Sequence, residues 1–191
     1  MSINILLTGR PRIGKTTIIQ KFTRRCPLSV GGFFTCEIRE RGKRTGFTIE
    51  AVRSWNHEDQ DGSGKKYHAV MAHVNCQSPY RVGQYGINIS AIEKVGITAL
   101  REGIRRAKII IIDEIGRMEM YSTLFQKEVK NVLDCPIPVL GVIQMKRNSF
   151  LDSIRNRSDV TVIQVTLNNR DVLPERLFDI FGLKTPNTTS P

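Results

Sequence analysis

The stretch "INILLTGRPRIGKTT", residues 3–17, restricts the fold more than any other part of the chain. An apolar run, Ile3–Leu7, reads as a strand covered on both faces, and it feeds straight into a loop of two glycines and three basic residues. Gly9, four residues, then Gly14-Lys15-Thr16 matches the spacing G-x-x-x-x-G-K-[ST]. A helix follows from Lys15 to Arg25, with Ile18, Ile19 and Phe22 on one face and Pro27 as its stop. Strand, glycine loop and helix in that order aim several backbone N–H groups and a helix N-terminus at one point, where the oxyanions of a β-phosphate satisfy them. The candidate nucleotide-binding residues are therefore Gly9, Arg10, Pro11, Arg12, Ile13, Gly14, Lys15, Thr16 and Thr17. Lys15 is placed to reach the β- and γ-phosphates and Thr16 to ligate Mg²⁺. "GSGKK" at 62–66 lacks both the first glycine and a preceding strand, so it is not a second such loop.

A triphosphate site also needs an acid for the metal and a base for water. "KIIIIDEIG" supplies both at the end of a buried strand: Asp113 beside the Mg²⁺ and Glu114 as acceptor of the water's proton. Gln144, ending the strand "PVLGVIQ", is a candidate sensor of the γ-phosphate. Arg155 and Arg157 in "IRNR" are candidates to neutralise charge in the transition state, and Arg117 and Arg81 stand beside them; spacing does not choose among the four.

The remaining pattern alternates strands and helices. "GGFFTCEIRERGKRTGFTIEAV" reads as a β-hairpin turning at Gly42, "YHAVMAHV" as a strand, and "SAIEKVGITALREGIRRA" as a helix opened by a Ser90–Glu93 capping box. "YSTLFQKEVKNVL" reads as a helix, "IPVLGVIQ" as a strand, "FLDSIRNR" as a short helix and "VTVIQVT" as a strand. A last helix covers roughly 169–181, its first turn disturbed by Pro174. Such alternation implies an α/β fold of three layers with a mostly parallel central sheet. One P-loop NTPase domain over 1–183 is expected, with a polar loop at 56–66 and a frayed tail at 184–191.

No apolar run approaches the roughly 20 residues needed to span a bilayer, and "MSINILLTGR", with no basic residue before its apolar stretch, reads as a strand and not as a signal peptide. Four scattered cysteines without a C-x-x-C pair favour reduced thiols and a cytoplasmic setting. The net charge is +11, and residues 1–53 carry 11 Lys/Arg against 3 Asp/Glu, so the N-terminal third suits an anionic partner, nucleotide or nucleic acid.

The motifs "GRPRIGKTT", "GGFFTCEIRERGKRTGF", "YRVGQYGIN", "IIIIDEIGRMEM", "VLGVIQ" and "IRNRSDV", in this order, resemble the THEP-type nucleoside-triphosphatase family over all but the 56–66 loop and the tail. The resemblance implies an ASCE-type, RecA/AAA-like P-loop fold, in which an extra strand separates the loop strand from the acidic strand. It implies Mg²⁺-dependent hydrolysis of nucleoside triphosphates (ATP, GTP and others) with loose base preference. Gly9–Thr16 carry over as the nucleotide loop and Asp113 and Glu114 as the acidic pair, while Arg12 stands where the family usually has glycine. Two other readings are a nucleotide or nucleoside kinase, which uses the same loop, and an NTP-dependent nucleic-acid-binding switch, motivated by the basic N-terminal third.

Overall fold

The computed structural model describes residues 3–52 and 67–184. The polar loop expected at 56–66 and nearly all of the expected tail at 184–191 lie outside the described residues. The strands are β1 (Asn4–Thr8), β2 (Val30–Glu40), β3 (Lys43–Ala51), β4 (His68–His73), β5 (Arg81–Val82), β6 (Tyr85–Ile87), β7 (Ile109–Ile115), β8 (Val139–Ile143) and β9 (Val160–Gln164). They form one open sheet in the order β5-β6-β4-β3-β2-β7-β8-β1-β9. From β2 to β9 the neighbours are parallel; from β5 to β2 they are antiparallel. β8 is the extra strand that the family resemblance implies between the loop strand β1 and the acidic strand β7.

The expected hairpin is present as β2–β3, turning through Arg41 (φ +47°) and Gly42 (φ +77°). Two consecutive positive φ angles are what a two-residue I′ connection requires, and glycine adopts the second without penalty. β2 pairs with β7 through Val30–Phe33 and with β3 through Phe33–Glu40, so the hairpin extends the parallel sheet into an antiparallel wing. The short β5–β6 hairpin within "YRVGQYGIN" continues that wing, and sequence periodicity gave no sign of it because the strands are only two and three residues long.

Helices cover both faces: α1 (Lys15–Arg25) and α6 (Leu173–Ile180) on one, α3 (Thr98–Arg106), α4 (Thr123–Asp134) and α5 (Ser149–Arg155) on the other. Strand alternation splits the core accordingly. Ile5, Leu7, Ile109, Ile111, Leu140 and Val142 pack on Ile18, Ile19, Phe22, Leu177 and Phe178. Leu6, Ile110, Ile112, Val139 and Ile143 pack with Leu100, Phe125, Val129 and Leu151. Burying a leucine-sized side chain contributes roughly 1.5–3 kcal/mol, so this two-sided burial holds β1, β7 and β8 rigidly under whatever sits at their ends.

Two helix starts differ from expectation. The Ser90–Glu93 capping box does not form: Asn88 caps α2 (Ile89–Ala91), its Oδ1 accepting from the Ala91 N–H at 3.1 Å, while the Ser122 hydroxyl donates to Glu93 at 2.7 Å. A tertiary partner outcompetes the local one. The helix then passes through a π-helical stretch, Ile92–Ile97, before α3. The last helix begins at Leu173 instead of 169, since Pro174 has no N–H to donate and fits only a first turn. Among the described residues no helix is long and apolar enough to cross a membrane, and none of the four cysteines is in a disulfide.

Candidate active site

In parallel strands all C-terminal ends lie on one edge. β1 delivers the glycine loop there, β7 delivers Asp113–Glu114, and β8 between them delivers Gln144. The loop's dihedral angles explain its residues. Gly9 has φ +151°, and a Cβ there would stand 2.9 Å from the Val165 carbonyl oxygen. Gly14, at φ +111°, precedes α1 as its cap and offers no side-chain oxygen to the first turn, which also contains no acidic residue. The opening N–H groups of an eleven-residue helix are thus left for an external anion. Arg12 has φ +64° and is exposed. That left-handed conformation suits glycine and costs other L-residues about 1–2 kcal/mol, which gives a physical reason for the glycine usual at this position in the family.

Arg10, Pro11 and Thr17 are also exposed, and Ile13 packs its side chain into the α1–α6 core. Lys15 folds back over the loop, its Nζ donating to the carbonyls of Gly9 (3.0 Å) and Arg10 (3.1 Å). The Thr16 hydroxyl donates to Asp113 Oδ1 at 3.1 Å, joining the loop to the acidic strand.

The register of β7 against β8 shifts between Ile112 and Ile115, so the acidic pair occupies a β-bulge. In a regular strand adjacent side chains face opposite sides; a bulge re-aims one of them. Both carboxylates accordingly feel the Lys15 ammonium. Asp113 is buried, and desolvation, with the Glu114 charge second, pushes it up to about 7 against the opposing Thr16 hydroxyl, Thr35 backbone N–H and Lys15 charge. Burial also raises Glu114, opposed by Lys15.

Among the described residues, three buried oxygens at the ends of the three adjacent strands find no hydrogen-bond partner: Thr8 Oγ1 (β1), Gln144 Oε1 (after β8) and Asp113 Oδ2 (after Ile112 in β7). Buried polar atoms are normally satisfied, and three orphans on one edge mark a place built for an additional electropositive or donor group. Among the described residues no three His, Cys, Asp or Glu side chains gather to hold a metal alone. A Thr hydroxyl and one carboxylate are the donor set of an ion whose other ligands are phosphate and water, so Thr16 and Asp113 fit Mg²⁺.

Of the four candidate arginines, the two in "IRNR" separate. Arg155 lies at this edge, donating to the Gln144 carbonyl, to the Lys146 carbonyl at 3.3 Å and to Asp152 at 3.0 Å; it braces the backbone that carries Gln144. Arg157 lies at the opposite edge. It is held by Asp159 (2.7 Å), Asp134 (2.7 Å) and the Leu133 carbonyl (3.3 Å), beside Asn4 at the start of β1. Five residues of β1, about 13 Å at the usual strand rise, stand between Arg157 and the loop. The structure thus does not bring Arg157 to the loop, because the ion pairs beside the first residue of β9 hold it where that strand begins.

Glu119 was not legible as a site residue. It is 4% exposed, and its Oε2 accepts from the Gly116 N–H at 3.1 Å. A Cβ added to Gly116 would stand 3.0 Å from Glu114 Oε1 and 3.1 Å from Glu119 Oε2, so the two carboxyl groups flank this glycine. Burial and the neighbouring Glu114 push Glu119 up to about 8. The only sequence signal is a glutamate three residues after a glycine behind an acidic strand end, which looks like an exposed turn.

A parallel sheet with a glycine loop on β1, a strand between, and an acidic pair on β7 defines the P-loop NTPase class. The chain belongs to the NTPase family, whose model matches residues 4–178. It is 38% identical over 172 residues to nucleoside-triphosphatase THEP1 of Thermotoga petrophila, covering 90% of this chain and 88% of that one. A THEP1 of Thermofilum pendens is 38% identical over 179 residues, covering 91% and 92%. The crystal structure of THEP1 from Aquifex aeolicus superposes with a TM-score of 0.78 at 31% identity over 93% of this chain and 98% of that one. The solution structure of a human cancer-related nucleoside triphosphatase does so with 0.74 at 30% identity, over 96% and 100%.

Proposed function

We propose that this chain is a nucleoside-triphosphatase that hydrolyses NTPs to NDP and phosphate with Mg²⁺, with the loose base preference that the family resemblance implies. One observation carries the reading: both carboxylates of the β7 bulge sense Lys15, but only Asp113 is bonded to Thr16. That leaves Glu114 for the water. The loop N–H groups and the α1 N-terminus bind the β-phosphate, and Lys15 exchanges its two carbonyl contacts for phosphate oxygens. Thr16 and Asp113 would hold the ion, which supplies charge neutralisation on the β- and γ-phosphates. Glu114 takes a proton from the attacking water, and its raised pKa brings its basicity nearer to neutral pH, as a general base needs. Gln144, braced through its carbonyl by Arg155, orients the water or reads the γ-phosphate with its side chain.

The test is single-turnover phosphate release beside equilibrium binding of Mg·NTP. Glu114→Gln is expected to lower release by roughly 10²–10⁴ with binding retained. Parental release from Glu114→Gln would defeat the assignment. Under the kinase reading, transfer to an added acceptor persists in that variant while hydrolysis is lost. A cytoplasmic setting goes with the reduced thiols. Nucleic-acid contact would fall to the hairpin tip. Arg39 and Arg44 there are paired with Glu37, which leaves Arg41 and Lys43 exposed for it. Loss of RNA retention on filters when both are neutralised would support that contact, and no change would remove it.

A further inference from the structure

At the edge of the sheet where β5, β7 and β8 end lies a cavity of about 290 Å³. Arg117, just past β7, and Asn148, past β8, contribute to it, and the β5–β6 turn closes it with Arg81. None of its lining comes from Gly9–Thr17, Asp113 or Glu114. We infer that this cavity is a binding site for a second phosphate-bearing ligand, an orthophosphate or a phosphomonoester, distinct from the nucleotide held by the loop.

The lining is one-sided in its chemistry. It holds two guanidinium groups and no carboxylate. Among the described residues Arg117 makes no hydrogen bond or ion pair. Arg81 spends one N–H on the Gln84 carbonyl at 2.7 Å and pairs with no acid. Asn148 Oδ1 accepts from the Leu151 N–H at 2.7 Å, which fixes the side-chain amide beside the cavity with its N–H groups as donors. The Tyr121 hydroxyl is likewise committed, donating to the Arg81 carbonyl at 2.8 Å, which fixes the backbone that presents Arg81. Planar guanidinium forks match the oxygens of a phosphate dianion, and such charge-assisted bonds are about twice as strong as neutral ones. The volume lies just under the range of ligand pockets, about 300–1,000 Å³, which suits a phosphate with a small substituent. At the rim the Tyr121 ring packs on Tyr80 with centroids 5.3 Å apart, and both rings are exposed, so an aromatic substituent has a face to stack on.

This inference goes beyond the hydrolysis reading and does not depend on the roles of Asp113 and Glu114. The experiment is calorimetric titration of inorganic phosphate, and separately of AMP, into protein whose loop is saturated with Mg·ADP, and into Lys15→Ala without nucleotide. Both preparations are expected to bind phosphate. Arg117→Gln is expected to weaken binding at least tenfold and Arg117→Lys to recover part of it. Because Arg117 bonds to nothing among the described residues, an intact circular dichroism spectrum is expected for both variants. AMP binding more tightly than phosphate identifies a phosphomonoester as the natural class, and equal binding identifies orthophosphate. Binding that vanishes when the loop is filled, or an Arg117→Gln titration matching the parent, overturns the site.

Discussion

Thr16 Oγ1 donates to Asp113 Oδ1 at 3.1 Å, joining the first turn of α1 to the bulge of β7 across the intervening strand β8. The bond fixes the separation of the two groups proposed to hold Mg²⁺, and it leaves Asp113 Oδ2 buried without a partner. Thr16→Ala removes the donor from one carboxylate oxygen while the other is already orphaned. The Mg²⁺ concentration needed for half-maximal NTP binding should rise several-fold, and Thr16→Ser should restore it because the hydroxyl returns. Superimposable Mg²⁺ titrations for Thr16→Ala and the parent would separate Thr16 from the metal.

Arg12 is a strain point with a direct remedy. Its φ of +64° costs about 1–2 kcal/mol for an L-residue. Arg12→Gly relieves this but adds about 0.4–1 kcal/mol of unfolded-chain entropy. The net expectation is a gain of about 0.5–1 kcal/mol in urea denaturation. A destabilised Arg12→Gly protein would show that the guanidinium makes a contact outweighing the strain.

These two residues mark the range of what the sequence discloses. Loop, acidic pair and hairpin were legible because each is local: glycine spacing, a strand-end Asp-Glu, and two alternating runs around Gly42. The position of β8 between β1 and β7 is a long-range fact that no local pattern contains; it followed from the family resemblance. The failure of Ser90 as a cap is long-range as well, since Glu93 is claimed by Ser122 from another helix start. The bulge that re-aims Asp113 and Glu114, and the burial of Glu119, depend on strands and helices meeting in space. In the sequence, "GRMEM" differs in no way from a solvated turn.

Arg157 illustrates how ion pairing reveals a structural role. Its guanidinium bonds to Asp134, Asp159 and the Leu133 carbonyl, and the Asn4 amide donates to Asp159 and Leu133 as well. Arg157→Ala should destabilise the fold by about 1.5–3 kcal/mol, the worth of a hydrogen bond to a charged group, by freeing the start of β9. Turnover per folded molecule should remain parental. A large fall in turnover without loss of stability would place Arg157 in the reaction.

Glu119 gives the protein a specific dependence of stability on pH. Buried beside Glu114, its carboxyl titrates at about 8 in the folded protein, against 4.5 as its ordinary value. Between those two pH values the folded state holds a proton that the unfolded state has released. Stability changes with pH as the difference in protons bound, unfolded minus native, and here that difference is negative. The contribution of Glu119 is therefore fully present below about pH 4.5, declines as pH rises, and is lost above about pH 8. One proton corresponds to a slope of about 1.4 kcal/mol per pH unit. Asp113, pushed up to about 7, adds a slope of the same sign over the lower part of the window. Glu119→Gln keeps an oxygen to accept from the Gly116 N–H and removes the ionisation. Urea denaturation from pH 5 to pH 8 should show the parent losing stability steadily and Glu119→Gln losing distinctly less, so that the variant overtakes the parent toward pH 8. Parallel stability curves for the two proteins would show that Glu119 ionises in the folded state as it does in water.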